Sequence, residues 1–307
     1  MERHRAIFIA GPTASGKSAL AIAVAQSVGG TVINADSMQV YRELRVLTAR
    51  PAPEEEAVVP HRLYGHVGVA ESYSVAAWLA DVEVAIAETR ARGSVPVIVG
   101  GTGLYFMALT RGLSPIPVIP DEIRRRWRQA GQELAATELH KELARRDPVT
   151  AGRLRDSDRQ RIVRALEVIE ATGEPLAHWQ EKPGTPMFHS DEFIGLVVDR
   201  PRDELYARAD QRFDQMIAGG GLEEAETIRS MQLDPELPAA RAVGLPPLIA
   251  HLEGQMSLEE AANVAQRDTR HYIKRQMTWL RRNMIAWRRI NANEMERISG
   301  LGITFVD

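Results

Sequence analysis

One stretch constrains the chain more than any other: Gly11-Pro12-Thr13-Ala14-Ser15-Gly16-Lys17-Ser18. It follows Ala6-Ile7-Phe8-Ile9-Ala10, an apolar run of strand length. It leads into Ala19-Leu20-Ala21-Ile22-Ala23-Val24-Ala25, a run of good helix formers. Glycine, four residues, then Gly-Lys-Ser between a strand and a helix is the P-loop pattern. Gly11 and Gly16 let successive N–H groups curl around an anion, above the positive end of the helix. Gly11, Thr13, Ala14, Ser15, Gly16, Lys17 and Ser18 are therefore expected to hold a phosphate or diphosphate. Lys17 adds a full charge, and the Ser18 hydroxyl suits Mg²⁺. The loop does not say which molecule carries the phosphate.

The same strand–helix alternation continues. Thr31-Val32-Ile33-Asn34-Ala35-Asp36 reads as a second strand ending at an acid. Residues 48 to 72 hold Pro51, Pro53 and Pro60 with several glycines and read as loop-rich. Ser74 caps a helix expected over 75–92, stopped by Gly93. Val95-Pro96-Val97-Ile98-Val99 is a buried-type strand, followed by Gly100-Gly101-Thr102. The pattern predicts an α/β fold with a parallel sheet flanked by helices. In such sheets ligands sit beyond the carboxyl ends of the strands, where the P-loop, Asp36 and Thr102 all fall.

From Arg111 the character changes. Pro115, Pro117 and Pro120 are followed by helix formers and arginines to about residue 180, with no clear strand. Residues 111–192 read as an inserted, mainly helical subdomain. Phe193-Ile194-Gly195-Leu196-Val197-Val198-Asp199 returns to strand, so 1–110 and 193–307 form the core. A helix over 202–218 is expected to stop at Gly219-Gly220-Gly221. The capping box Ser257-Leu258-Glu259-Glu260 opens a long helix to about Asn283.

Composition narrows the class. The 307 residues include no cysteine, which excludes disulfides, thiolate metal sites and cysteine nucleophiles. No apolar run reaches membrane-spanning length and no signal peptide is visible, so a cytoplasmic protein with no membrane role is expected. A net charge of −3 does not announce a nucleic-acid partner. Local clusters do more: Arg124, Arg125, Arg126 and Arg128; Arg153, Arg155, Arg159, Arg161 and Arg164; and a basic helix from Arg267 to Arg282. Most charge runs are solvated faces, yet three outside the first strand–helix units raise the case for a phosphate backbone.

Two residues carry open readings. Asp36 is either a general base or a strand-end cap for Met38 or Gln39. Thr102 either bonds a substrate or caps the following helix, and local pattern favours the cap. Arg208 and Arg212 share one helix face. An arginine there can reach back to a diphosphate, but spacing favours a surface partner such as Glu204 or Asp210. No acid follows Val97-Ile98-Val99, which weakens an ATPase reading.

Together these residues resemble a known family. The segments 11–18, Asp36-Ser37-Met38-Gln39-Val40-Tyr41 and Gly100-Gly101-Thr102-Gly103-Leu104-Tyr105 are similar to those of tRNA dimethylallyltransferases. So are Asp158 to Val168, Arg241-Ala242-Val243-Gly244 and Lys274 to Leu280. Leu245-Pro246 and Arg155-Asp156-Ser157 depart from the family pattern. The resemblance implies a P-loop NTPase-like core and transfer of a dimethylallyl group to the exocyclic amine of the adenosine 3′ to the anticodon. Dimethylallyl diphosphate is the implied donor, Mg²⁺ the implied cofactor, and the tRNA anticodon stem-loop the implied partner of a monomer. It implies catalytic roles for Asp36, Thr102, Lys17 and Arg212, with Arg212 on the diphosphate. It implies tRNA contacts at Asp36, Ser37, Met38, Gln39, Thr102, Arg124, Gln160, Arg161, Ile162, Val163, Arg164, Arg241 and Gly244. The competing readings are a small-molecule or nucleotide kinase and a non-enzymatic RNA binder with a vestigial phosphate loop.

Overall fold

The computed structural model describes residues 6–292. Six strands form one parallel sheet: β1 (Ala6–Ala10), β2 (Gly30–Asn34), β3 (His61–Arg62), β4 (Val95–Gly100), β5 (Phe193–Asp199) and β6 (Arg288–Asn291). Their order is β3-β2-β4-β1-β5-β6. The central strand β1 thus carries the P-loop, with β4 and β5 on either side. The outermost strands among the described residues, β3 and β6, lie where the sequence shows no strand-length apolar run. They are short or charged, as edge strands tolerate.

Alternation along β1 divides the core. Ile7 and Ile9 pack with Leu20, Ala21 and Val24 of the helix Lys17–Val28 and with Val97 and Val99. Phe8 points to the other face and is fully buried. Its ring stacks on Phe193 at 4.4 Å and meets Phe188 edge-on at 5.1 Å, with Trp287 and Phe106 beside it. Burying such a ring contributes roughly 2–3 kcal/mol. The helix Val75–Ala91 starts where expected, with Ser74 Oγ accepting Ala77 N–H at 3.1 Å. Its Trp78 is buried, stacks on Tyr105 at 4.0 Å and donates its indole N–H to the Asn34 carbonyl at 2.9 Å.

The stretch 48–72 is loop-rich, as expected, and also holds the helical turn Pro53–Glu56 and β3. One strand boundary is corrected. The second strand ends at Asn34, because the Asn34 side chain turns the chain: its oxygen accepts Asp36 N–H at 2.8 Å and its amide donates to the Asp36 carbonyl. The glycine run ends a helix as expected: the helix Arg202–Met216 runs into a turn at Ile217–Gly221, where Gly219 and Gly220 leave helical geometry, and a second helix, Leu222–Ser230, starts after the kink.

Residues Arg111–Met187 form a second compact unit. Its boundary falls at Phe188, not 193, because Phe188 packs on Phe8 and donates its N–H to the Leu109 carbonyl at 3.0 Å. Within this unit Trp127, Leu139, Leu143, Ile162 and Leu166 make the core. The fully buried Asp147 accepts the N–H groups of Thr150 and Leu176 at 2.9 and 3.2 Å, tying the helix Ala136–Arg146 to the helix Leu176–Glu181. Among the described residues no helix is long and apolar enough to cross a membrane.

Candidate active site

The carboxyl ends of β1, β2 and β4 are laced together by backbone. Gly11 N–H donates to Gly100 O at 3.3 Å, Ala35 N–H to Val99 O at 2.7 Å, and Thr102 N–H to Ala35 O at 3.2 Å. Gly100 is obligatory at this crossing, since a Cβ would overlap the Ala35 carbonyl oxygen. In the P-loop, Gly16 takes φ 92°, a left-handed conformation that suits glycine. The helix carrying Lys17 and Ser18 begins at the next residue.

Gln276 joins the loop to the rest of the site. Its buried side chain accepts Thr13 N–H at 2.9 Å and donates to Gly101 O at 3.0 Å. It comes from the long helix Leu258–Asn283, on the face that also buries Ile273, Met277 and Leu280. Local pattern assigns Gln276 no role, although an amide in a stripe of apolar residues at helical spacing is a signal of one.

Arg212 and Arg208 reverse the expectation from their spacing. Glu204 pairs with Arg200 and Asp210 with Arg270. Arg212 instead donates to Thr13 Oγ1, and Arg208 donates to the Ala14 carbonyl at 3.2 Å. Both guanidinium groups lie against the P-loop. Loss of water around the Arg212 guanidinium holds its pKa below the usual value, while Asp36 opposes that shift. Lys17 is pulled down to about 8, chiefly by desolvation, with Asp36 opposing and Arg212 adding to the fall. A bound anion favours the protonated amine. Diphosphate affinity should therefore hold up to about pH 8 and decline above it as free Lys17 loses its proton. Calorimetric titration with inorganic diphosphate across neutral to alkaline pH reads this out. Lys17→Ala should lose that limb, and an identical limb in the variant would assign it to the ligand alone.

Two cavities meet at Arg212. The larger, about 500 Å³, is lined by Gly16, Lys17, Ser18, Arg208 and Arg212. The smaller, about 250 Å³, is lined by Asp36, Ser37 and Tyr272 together with Leu47, Phe213 and Met216. One compartment is cationic and loop-lined. The other combines a carboxylate with an apolar wall. Asp36 performs the capping role, since Oδ1 accepts Met38 N–H at 3.0 Å. Among the described residues Oδ2 accepts no hydrogen bond, so capping leaves one oxygen for a substrate proton. Thr102 does not cap the next helix with its side chain. Its hydroxyl accepts Ser37 N–H at 2.9 Å and donates to Ser37 Oγ at 3.3 Å, and it lies beside the Tyr272 phenol. Burial and the nearby Asp36 charge push the Tyr272 phenol up, so it remains a neutral donor.

The residues assigned to tRNA by resemblance separate into groups. Ser37 and Met38 line the smaller cavity, as does Arg241. Gln39 does not present its amide there: Nε2 donates to the Thr48 and Ala49 carbonyls at 2.9 and 3.0 Å. Gly244 makes the turn before the helix Leu245–Leu252 and lies against the Phe213 ring, so it shapes the wall. In the helical unit, Ile162 is fully buried and is a packing residue, because its side chain faces Trp127 and Leu166 in that core. Val163 is half-buried against Gly131. Arg124, Gln160, Arg161 and Arg164 remain at the surface, with Arg124 3.5 Å from Asp121, Arg161 3.5 Å from Asp158, and Arg164 3.1 Å from Glu167. Arg159 is spent on the Gly131 and Leu134 carbonyls, closing the end of the helix Asp121–Glu133.

Comparison with known proteins places these features. A model of the IPP transferase family matches residues 39–283, and one described as isopentenyl transferase matches 4–67. The chain is 51% identical over 299 residues to a tRNA dimethylallyltransferase of Rhodopseudomonas palustris, covering 96% of this chain and 93% of the relative. It is 53% identical over 281 residues to one from a Bradyrhizobium species, covering 92% of each. Among solved structures, the full-length tRNA isopentenylpyrophosphate transferase of Bacillus halodurans superposes with a TM-score of 0.67 at 30% identity, over 97% of this chain and 95% of that one. A eukaryotic dimethylallyltransferase acting on tRNA gives a TM-score of 0.80 at 26% identity, over 95% of this chain and 75% of that one.

Proposed function

The chain belongs to the IPP transferase family, and from that premise we propose how its site carries out the reaction. The protein is a prenyltransferase that modifies tRNA. Dimethylallyl diphosphate is the donor, and its diphosphate occupies the P-loop compartment. The acceptor is the exocyclic amine of the adenosine 3′ to the anticodon. That base must leave its stack to reach a cavity at the strand ends.

The observation that supports this course is the position of Arg212 on both cavities. A leaving diphosphate on one side and an attacking amine on the other would meet at that residue. As the bond from the allylic carbon to the diphosphate oxygen breaks, charge grows on the diphosphate. The P-loop N–H groups, Lys17 and Arg212 face that charge without needing to reorganise. The amine attacks the allylic carbon and its surplus proton passes to Asp36 Oδ2. Ser37 and Tyr272 orient the base, and Thr102 holds Ser37.

Ser18 lines the phosphate compartment beside Lys17, and no cluster of three metal-binding side chains exists among the described residues. That donor set fits Mg²⁺, which keeps several waters and binds through phosphate oxygens with few protein ligands. When bound, Mg²⁺ would add Lewis-acid stabilisation of the departing diphosphate, held by the Ser18 hydroxyl.

The test is transfer of label from dimethylallyl diphosphate to a tRNA transcript. Product is expected with Mg²⁺ and the allylic diphosphate alone, without nucleotide turnover. Phosphate transfer from ATP, or strict dependence on ATP hydrolysis, would overturn the reading in favour of a kinase.

The surface arginines of the helical unit supply a further expectation. Arg161 and Arg164 have side chains 74% and 42% exposed, enough to exchange their carboxylate partners for RNA phosphates. An Arg161→Ala, Arg164→Ala double variant should weaken tRNA binding and reduce the salt dependence by about one per lost contact. An unchanged slope and affinity would leave both as partners of Asp158 and Glu167 only.

A further inference from the structure

The two cavities are divided by residues 45–52. Leu47 and Thr48 line the smaller, and Ala49, Arg50, Pro51 and Ala52 line the larger. Residues 45–50 are neither helix nor strand, and Ala49 takes φ 50°. The turn of this strap is closed by Ala49 N–H on the Val46 carbonyl at 2.9 Å and Arg50 N–H on the Arg45 carbonyl at 3.0 Å. Its place between the cavities is fixed from behind.

Glu224, in the first turn of the helix Leu222–Ser230, accepts three successive backbone N–H groups. Oε2 takes Arg45 and Val46 at 2.8 and 2.7 Å, and Oε1 takes Leu47 at 2.9 Å. Consecutive N–H groups turned to one side form a concavity that binds anions, and here a side-chain carboxylate fills it. Gln39 completes the hold by donating to the Thr48 and Ala49 carbonyls. The strap also rests on the kink before this helix: Leu47 Cδ2 lies 3.1 Å from where a Cβ of Gly221 would stand. Glu224 itself lines neither cavity.

We infer that Glu224 is a positioning residue for the donor, and that by fixing the strap it sets the length of allylic chain the enzyme accepts. This rests on the assignment of the two cavities given above. The diphosphate is anchored at the P-loop, so one end of the donor cannot move. The other end runs past Arg212 toward the wall made by Leu47, Phe213 and Met216. Phe213 and Met216 stand on a helix. Leu47 stands on the strap, so its position depends on the carboxylate behind it. A five-carbon chain ends at this wall, and a ten-carbon chain must displace it. A well-fixed apolar wall discriminates by roughly 10–200-fold per methylene, and a loose one by less.

The experiment compares dimethylallyl and geranyl diphosphates as donors to the same tRNA transcript. The proteins are wild type, Glu224→Gln and Leu47→Ala, with folding checked by thermal unfolding. Glu224→Gln replaces one acceptor oxygen with an N–H₂ facing backbone donors. It should raise KM for dimethylallyl diphosphate about tenfold with kcat within about threefold, because the wall acts alike on ground and transition states. The geranyl-to-dimethylallyl ratio of kcat/KM should rise about tenfold in the same variant. Leu47→Ala leaves the carboxylate and its three N–H partners in place and should raise that ratio similarly. This keeps the proposal testable if Glu224→Gln fails to fold. A folded Glu224→Gln with unaltered KM and ratio overturns the proposal, as does Leu47→Ala with an unaltered ratio. If the wild type does not transfer from dimethylallyl diphosphate at all, the functional reading falls and the proposal with it.

Discussion

Asp36→Asn is expected to lower the rate of transfer by ~10²-fold or more, the usual scale for a general base. Asparagine keeps the side-chain oxygen that accepts Met38 N–H, so the turn after β2 should survive. What it removes is the basic second oxygen in the smaller cavity. The amine's proton then has no carboxylate to receive it as the new C–N bond forms. Lys17 and Arg212, both under the Asp36 charge, keep their places on the phosphate side. Transfer measured in a single turnover, with tRNA affinity measured separately, distinguishes the two roles of Asp36. A rate near wild type would leave it a strand-end cap and nothing more.

Lys17→Ala should be at least as damaging to transfer. Removing one preorganised donor from a developing anion costs about 10²–10³ in rate, and here a full charge is lost from the leaving diphosphate. The affinity for tRNA should stay close to wild type, since Lys17 lines the phosphate compartment and not the cavity of Asp36. The contrast carries the argument. A variant that loses tRNA binding along with transfer would make the P-loop a site for RNA phosphate, and the course of reaction proposed above would be wrong. Loss of transfer with tRNA bound normally assigns the loop to the small diphosphate.

Much of this site follows from local pattern. The P-loop, the strand before it and the helix after it are contiguous in the chain, so glycine conformation, apolar run and helix propensity all act within 25 residues. Asp36 and Thr102 follow apolar runs, and a parallel sheet brings the carboxyl ends of its strands together whatever the connecting segments do. The parallel sheet, the helical second unit and the capped helices at Ser74 and Ser257 are legible for the same reason.

The remainder depends on pairs far apart in the chain. Arg212 reads as a surface residue from its neighbours, because Glu204 and Asp210 are close in sequence, yet both have other partners once the helix is packed. Ile162 sits in a run of arginines, but the helix turns it inward onto Trp127. Gln39 and Glu224 hold the strap between the cavities through backbone groups, and backbone groups leave no trace in residue type. Gln276 bonds the P-loop from 263 residues away. Sequence by itself determined what the chain can bind and where the strands deliver it, because those follow from conformational preferences within a few residues. Only the tertiary structure decided which polar side chains are spent on the protein and which are left for a substrate, because that depends on which partner reaches each group first when the elements close together.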